Sequence, residues 1–126
     1  MPSLPTTRWP GIIETYRKYL SVTDATPVVS LQEGNTPLIE APRLAAALGL
    51  EIELYLKFDG ANPTGSFKDR GTAILVSTLA AQGVVRAIED SSGNAGASFA
   101  AYATRAGIKA RIWLAKRSGW PVVYRT

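Results

Sequence analysis

The sequence has 126 residues, of which 46% are apolar and 19% charged, enough to build a hydrophobic core and unlike a disordered chain. It contains no cysteine and no histidine. This excludes disulfides, thiolate or imidazole metal sites, and Ser-His or Cys-His catalytic pairs, and no metal site is predicted. A catalytic chain of this composition must rely on lysine, carboxylates, hydroxyls, backbone amides or a cofactor.

The formal net charge of +4 is unevenly distributed along the chain. Eight basic and ten acidic residues occur up to Asp90, whereas six basic residues and no acidic ones follow it. Such asymmetry can indicate affinity for nucleic acid or membranes. Nucleic-acid binding is not favoured here, because the aromatic residues do not interleave with the basic ones at a readable spacing.

No apolar run at the N-terminus could serve as a signal peptide. The longest apolar stretches are far shorter than the ~18 residues that a membrane-spanning helix needs. We therefore expect a cytoplasmic protein with no membrane partner.

The first part of the chain predicts short elements. Apolar residues at three-to-four spacing predict a helix over 12–20, and a short apolar run predicts a strand over 28–31. The stretch 33–38 is typical of a turn. A further helix is predicted over 42–48, with Pro42 at its first position and a glycine after it.

From residue 52 onward, strands and helices are expected to alternate. The predicted order is strand 52–58, helix 67–82, strand 84–88, helix 95–106 and strand 110–114. This order favours an α/β fold with three layers, in which helices cover both faces of a mostly parallel sheet. Right-handed crossovers would then place the turns 59–66 and 90–94 at the same carboxyl edge, where a ligand is expected.

The last residues do not continue this alternation. We expect one domain over residues 1–115, followed by an atypical basic tail over 116–126 that marks a truncation or a frame boundary.

The stretch 62–71, Asn-Pro-Thr-Gly-Ser-Phe-Lys-Asp-Arg-Gly, carries a lysine at the start of a predicted helix. Ser66 is a natural helix cap, and Asp69 three residues later approximates a capping box. Lys68 would lie near the positive end of the helix dipole, partly buried beside Phe67 and Ile74, and both effects favour the neutral amine that Schiff-base chemistry requires.

A surface lysine on a capped helix is the alternative interpretation of Lys68, and spacing alone does not exclude it. A phosphate-binding loop of the Walker type is excluded, because two residues lie between Gly65 and Lys68 and no Ser or Thr follows the lysine, whereas the motif requires Gly-Lys-Ser/Thr.

The second turn, residues 91–96, reads Ser-Ser-Gly-Asn-Ala-Gly and also opens a helix after a strand. Its backbone amides and serine hydroxyls would converge outside the helix end, which suits a carboxylate. A plain helix cap remains the alternative for this turn taken alone.

The stretch 62–71 closely resembles the cofactor-lysine motif of the threonine synthases. Residues 33–38 (Glu-Gly-Asn-Thr-Pro-Leu) and 92–94 (Ser-Gly-Asn) match two further motifs of those enzymes in the same order. The wider group is the tryptophan synthase β-like, fold type II, family that uses pyridoxal 5′-phosphate. The resemblance extends from about Trp9 to Leu114.

The resemblance implies a role for each matching residue. Lys68 would form the Schiff base with the cofactor and move protons at the substrate carbons. Phe67 would pack near the cofactor ring, and Asn94 would hydrogen-bond its phenolic oxygen. The α-carboxylate of the amino-acid substrate would be bound by the second turn, namely by Ser91, Ser92, Gly93 and Asn94. Asp69 and Arg70 are interpreted as structural, and residues 33–36 as part of the site wall.

The reaction implied by the resemblance converts O-phosphohomoserine and water to threonine and phosphate, and full-length relatives would be homodimers. The sequence lacks a glycine-rich loop for the cofactor phosphate after Asn94, and also the later Ser or Thr for the pyridine nitrogen. We therefore expect an incomplete fold type II enzyme that is inactive alone. A threonine/serine dehydratase-like enzyme and a non-catalytic interaction module remain alternatives.

Overall fold

The computed structural model describes residues 8–91 and 93–114. The helices are α1 (Ile12–Tyr16), α2 (Pro42–Ala47), α3 (Lys68–Ala81) and α4 (Asn94–Arg105), with 3₁₀ helices at Arg17–Tyr19 and Asp59–Ala61. The strands are β1 (Leu38–Glu40), β2 (Tyr55–Lys57), β3 (Arg86–Asp90) and β4 (Lys109–Trp113). The tail predicted at 116–126 lies outside the described residues, as does Ser92.

The helices occur where the sequence predicts them. Pro42 occupies the first turn of α2, where a missing N–H costs nothing. Helices α3 and α4 end just before Gly83 and Gly107, which both have φ +72° and so provide the left-handed residue that terminates a helix. Among the described residues, no helix is long and apolar enough to cross a membrane.

The strands form two small sheets, which together with the helices confirm the α/β class. In one sheet, β3 and β4 are parallel, with Arg86 opposite Lys109, and α4 provides the crossover between them. In the other, β1 and β2 are antiparallel, with Leu38 opposite Lys57.

The pairing of β2 differs from the expected order. We expected it beside β3 in a parallel sheet, but it pairs with β1, which was not predicted as a strand. The ladder extends beyond both strands, because Phe58 N donates to Pro37 O (2.9 Å) and Ala41 N to Leu54 O (2.8 Å).

The strand predicted at 28–31 is absent, because side chains satisfy its backbone donors. The N–H of Val29 donates to the Ser77 hydroxyl (2.9 Å), and that of Leu31 donates to the Glu33 carboxylate (3.1 Å). A segment whose donors are used in this way has no need of a neighbouring strand.

The core lies where α1 and one face of the β3–β4 sheet pack against α3 and α4. Its fully buried members are Ile13, Ala73, Val76, Tyr102 and Ala103. On the sheet, Ala87, Ala110 and Ile112 pack against this cluster. The alternate residues of both strands are exposed, consistent with the period of two along a strand.

A buried carboxylate anchors the start of α1 to this core. Glu33 is fully buried, and its Oε1 accepts from the N–H of Ile12 at 3.2 Å. Its Oε2 accepts from the Ser30 hydroxyl (3.0 Å) and from the Tyr102 hydroxyl (2.9 Å) on α4. Burial, followed by the nearby negative charge of Glu33, raises the pKa of Tyr102.

Replacing Tyr102 by Phe tests this anchor. The variant removes one donor to a buried carboxylate, and we expect it to lower the free energy of unfolding by about 1–3 kcal/mol in urea denaturation. The matched control is Tyr19→Phe, at a side chain that is 74% exposed. Equal stability of the two variants would contradict the role given to the Tyr102–Glu33 bond.

Candidate active site

The turn before α3 holds Lys68 at the first helical position. Gly65 N donates to Asn62 O at 2.8 Å, which closes the turn. Phe67, not Ser66 as expected, is the residue that precedes the helix. Ser66 still supports the helix start, because its buried hydroxyl accepts from the N–H of Lys68 at 3.3 Å.

Lys68 is exposed, contrary to the expected partial burial. Its Nζ lies 4.9 Å from the centroid of the Phe67 ring, which is itself 58% exposed. The buried stripe of α3 follows positions 69, 72, 73, 76 and 77, and position 68 falls outside that stripe. The amine is therefore accessible to a ligand from solvent.

Asp69, the next residue, is fully buried and accepts three hydrogen bonds. Two come from Thr64 in the turn, from its N–H at 2.7 Å and from its hydroxyl. The third comes from the hydroxyl of Ser98 on α4, at 2.6 Å. The carboxylate thus reaches back to Thr64 instead of completing the capping box expected with Ser66.

The second turn is held together by Ser91. Its buried hydroxyl accepts from the N–H of Gly96 at 2.7 Å and from that of Gly93 at 3.3 Å. A Cβ at Gly96 would lie 2.8 Å from Cγ2 of Ile112 on β4, so only glycine allows this close approach. Gly93 and Asn94 are exposed.

The Asp69–Ser98 hydrogen bond connects the two turns. Asn94 and Ser98 are four residues apart and lie on the same face of α4, about 6 Å along its axis. Lys68 directly precedes Asp69. Lys68 and Asn94 therefore both lie within about one helical turn of the same buried contact.

A polar contact between α3 and α4 thus links the two turns. The expected shared sheet edge was wrong, because β2 and β3, the strands before the two turns, lie in different sheets. Thr64 and Ser98 were not singled out from the sequence. A signal was present, since Asp69 and Ser98 are polar residues at core-facing positions of their helices. Buried polar groups require partners, so two of them on adjacent helices indicate a pair.

The stretch 33–36 is bound to the same turn from the other side. Gly34 N donates to the Asn62 side-chain oxygen at 2.9 Å. Arg70 donates to both carboxylate oxygens of Asp59 (3.0 and 2.8 Å) and to the Thr36 hydroxyl at 3.1 Å. Hydrogen bonding by Arg70, followed by that of Thr36, lowers the pKa of Asp59 from 3.8 to about 2.

The part of the chain that contains both turns is similar to known proteins. Residues 29–119 match the family model described as "Pyridoxal-phosphate dependent enzyme". The chain is 52% identical over 111 residues to a protein of Synechocystis named threonine synthase, covering 88% of this chain and 29% of that protein.

Two further relatives carry the same name. Identity is 50% over 104 residues for the Mycobacterium leprae protein, covering 82% of this chain and 28% of the relative. It is 44% over 102 residues for the Halalkalibacterium halodurans protein, covering 81% and 28%. The chain thus spans less than a third of the length of the curated relatives it matches.

The Asp59–Arg70 pair predicts a pH dependence of stability. Because the pKa of Asp59 is lower in the folded chain than its usual 3.8, the pair stabilises the fold above about pH 4, and this contribution is lost as the pH falls toward 2. Both side chains are about 30% exposed, so we expect at most about 1 kcal/mol.

Asp59→Asn should therefore reduce the loss of stability between pH 4 and pH 2 in urea titrations, while the exposed control Asp24→Asn leaves it unchanged. Identical acid profiles for the native chain and Asp59→Asn would contradict the assignment.

Proposed function

Because this chain belongs to the pyridoxal-phosphate dependent enzymes, we propose that Lys68 is the residue that bonds covalently to the cofactor. The observation that carries the proposal is the exposed amine at the first position of α3, beside an aromatic ring and tied through Asp69 to α4. Among the described residues, Lys68 forms no ion pair, so no carboxylate competes for its amine.

The groups around this amine fit the cofactor's chemistry. Pyridoxal 5′-phosphate carries an aldehyde for an amine, a flat ring for an aromatic neighbour and a phenolic oxygen for a hydrogen-bond donor. The chain offers these partners as Lys68, the exposed ring of Phe67 and the exposed side chain of Asn94. We propose that these three residues bind it.

The second turn is proposed to bind the α-carboxylate of the substrate through Ser91, Ser92, Gly93 and Asn94. Its position at the N-terminus of the twelve-residue helix α4 supports this, because backbone N–H groups and the helix dipole favour an anion there. The Ser91 hydroxyl lies 3.5 Å from Gly93 O, a long contact that leaves its hydrogen able to turn toward an anion.

The bound cofactor supplies an electron sink that stabilises negative charge on substrate carbons. The residues of the chain would position the substrate and move protons. The second turn would orient the substrate by its carboxylate, and Asn94 would fix the cofactor ring through its phenolic oxygen. The Nζ of Lys68 would remove and return protons at the substrate carbons.

The proposed reaction, for a protein of the relatives' full length, is conversion of O-phosphohomoserine and water to threonine and phosphate. The shared name of the relatives supports this reaction over that of a threonine/serine dehydratase. A homodimer and a cytoplasmic location stay predictions from the resemblance.

For the 126-residue chain, which lacks a glycine-rich phosphate loop after Asn94, we propose cofactor attachment without turnover. Phosphate release from O-phosphohomoserine by this chain would contradict the second part.

Replacing Lys68 by Ala tests the cofactor assignment. Incubation of the native chain with pyridoxal 5′-phosphate and borohydride should fix the cofactor on the peptide that contains Lys68, as detected by mass spectrometry. The variant should lose that label together with the long-wavelength absorbance of the bound cofactor. Lys18→Ala is the matched control, since its Nζ also lies over an adjacent ring, 4.7 Å from the centroid of Tyr19. Colour that survives in Lys68→Ala, or labelling spread equally over other lysines, would overturn the assignment.

A further inference from the structure

We infer that Asp69 is a positioning residue, which holds the Lys68 turn and the start of α4 in one fixed arrangement for cofactor attachment. This inference rests on the proposed role of Lys68. It concerns a side chain that does not itself face the proposed ligand, because Asp69 is fully buried whereas Lys68 is exposed.

The first argument is the cost of burying this carboxylate. Among the described residues, Asp69 has no basic partner, and neutral donors alone compensate its burial. Burying a carboxylate is unfavourable unless it is fully hydrogen-bonded, and a plain helix cap could be provided by an exposed serine. An acceptor with two oxygens and several lone pairs is needed only where several donors must meet at one point.

The second argument is where those donors come from. Thr64 belongs to the turn before Lys68, and Ser98 belongs to the helix that begins at Asn94. Among the described residues, Ser98–Asp69 is the side-chain hydrogen bond that joins α3 to α4. Loss of the Ser98 hydroxyl would leave the separation between the two turns to the apolar packing of α3 on α4 alone.

The third argument is that Arg70 cannot take over this task. Its guanidinium points to Asp59 and Thr36, on the side of the stretch 33–36. The two adjacent residues therefore hold the turn against different neighbours, Asp69 against α4 and Arg70 against the 33–36 stretch. Among the hydrogen bonds of these two side chains to described residues, the one from Ser98 to Asp69 connects the two halves of the proposed site.

Ser98→Ala in the 126-residue chain, with Ser77→Ala as control, tests the inference. Both serines are fully buried, and each makes one hydrogen bond to another segment, but Ser77 binds the N–H of Val29 and does not touch Asp69. Thr64→Val is the second test variant, because it removes the other hydroxyl from Asp69 at a partly exposed position.

Two readouts separate positioning from general destabilisation. Hydrogen–deuterium exchange of the peptide covering 62–70 reports on the turn without any cofactor. Titration with pyridoxal 5′-phosphate, followed by borohydride labelling, reports on attachment at Lys68. We expect Ser98→Ala and Thr64→Val to accelerate the exchange and weaken attachment, each by roughly tenfold, as for loss of one hydrogen bond to a charged group. Ser77→Ala should change neither quantity at equal overall stability.

The inference is overturned if the test variants leave exchange over 62–70 or attachment unchanged, or if Ser77→Ala has the same effects. If the native chain shows no label at Lys68, the proposed cofactor role fails instead. The exchange data then still decide whether Asp69 holds the turn against α4.

Discussion

The arrangement of the candidate site depends on one buried carboxylate, that of Asp69. Three donors from two separate parts of the chain converge on it, and without them the burial of this side chain would be unfavourable. Removing one partner costs more than the bond itself, because it leaves a buried acceptor without a partner. The contact therefore selects one relative position of the Lys68 turn and α4 over neighbouring ones.

The carboxylates of Glu33 and Asp59 likewise hold separate segments of the chain together. Glu33 accepts hydrogen bonds from Ile12 in α1 and from Tyr102 in α4, and Asp59 binds Arg70 and Thr36. All three acidic residues thus hold segments in place, and the exposed amine of Lys68 is left available for chemistry. This division supports the proposal that a chain without histidine or cysteine presents Lys68 to the cofactor on a fixed backbone.

The sequence predicted the helices better than the strands. Helices α3 and α4 were predicted to within one residue at each end, because long apolar periodicity and terminal glycines specify them. Strand β1 has only three residues, too few to show a period of two, and it was not predicted. The prediction of a strand at 28–31 was wrong, because side-chain oxygens accept hydrogen bonds from its backbone N–H groups. Hydrophobic periodicity does not predict such contacts.

For the site, the sequence identified the two turns but not the contact that joins them. Lys68 and Asn94 were recognisable as members of motifs, whereas the bond from Ser98 to Asp69 depends on how two helices pack. The expected burial of Lys68 was wrong, since a lysine one position before a buried stripe points away from it. Side-chain pairing between distant residues is a property of the folded chain, and local patterns do not contain it.

A double-mutant cycle between Asp69 and Ser98 tests the central claim most directly. The free energy of unfolding would be measured in urea for the native chain, Asp69→Asn, Ser98→Ala and the double variant. If the hydrogen bond between Ser98 and Asp69 holds the two helices in place, the coupling free energy between the two positions should be about 1 kcal/mol or more. Effects that add to within about 0.3–0.5 kcal/mol would show that the two side chains act independently, and would contradict this account of how the site is held.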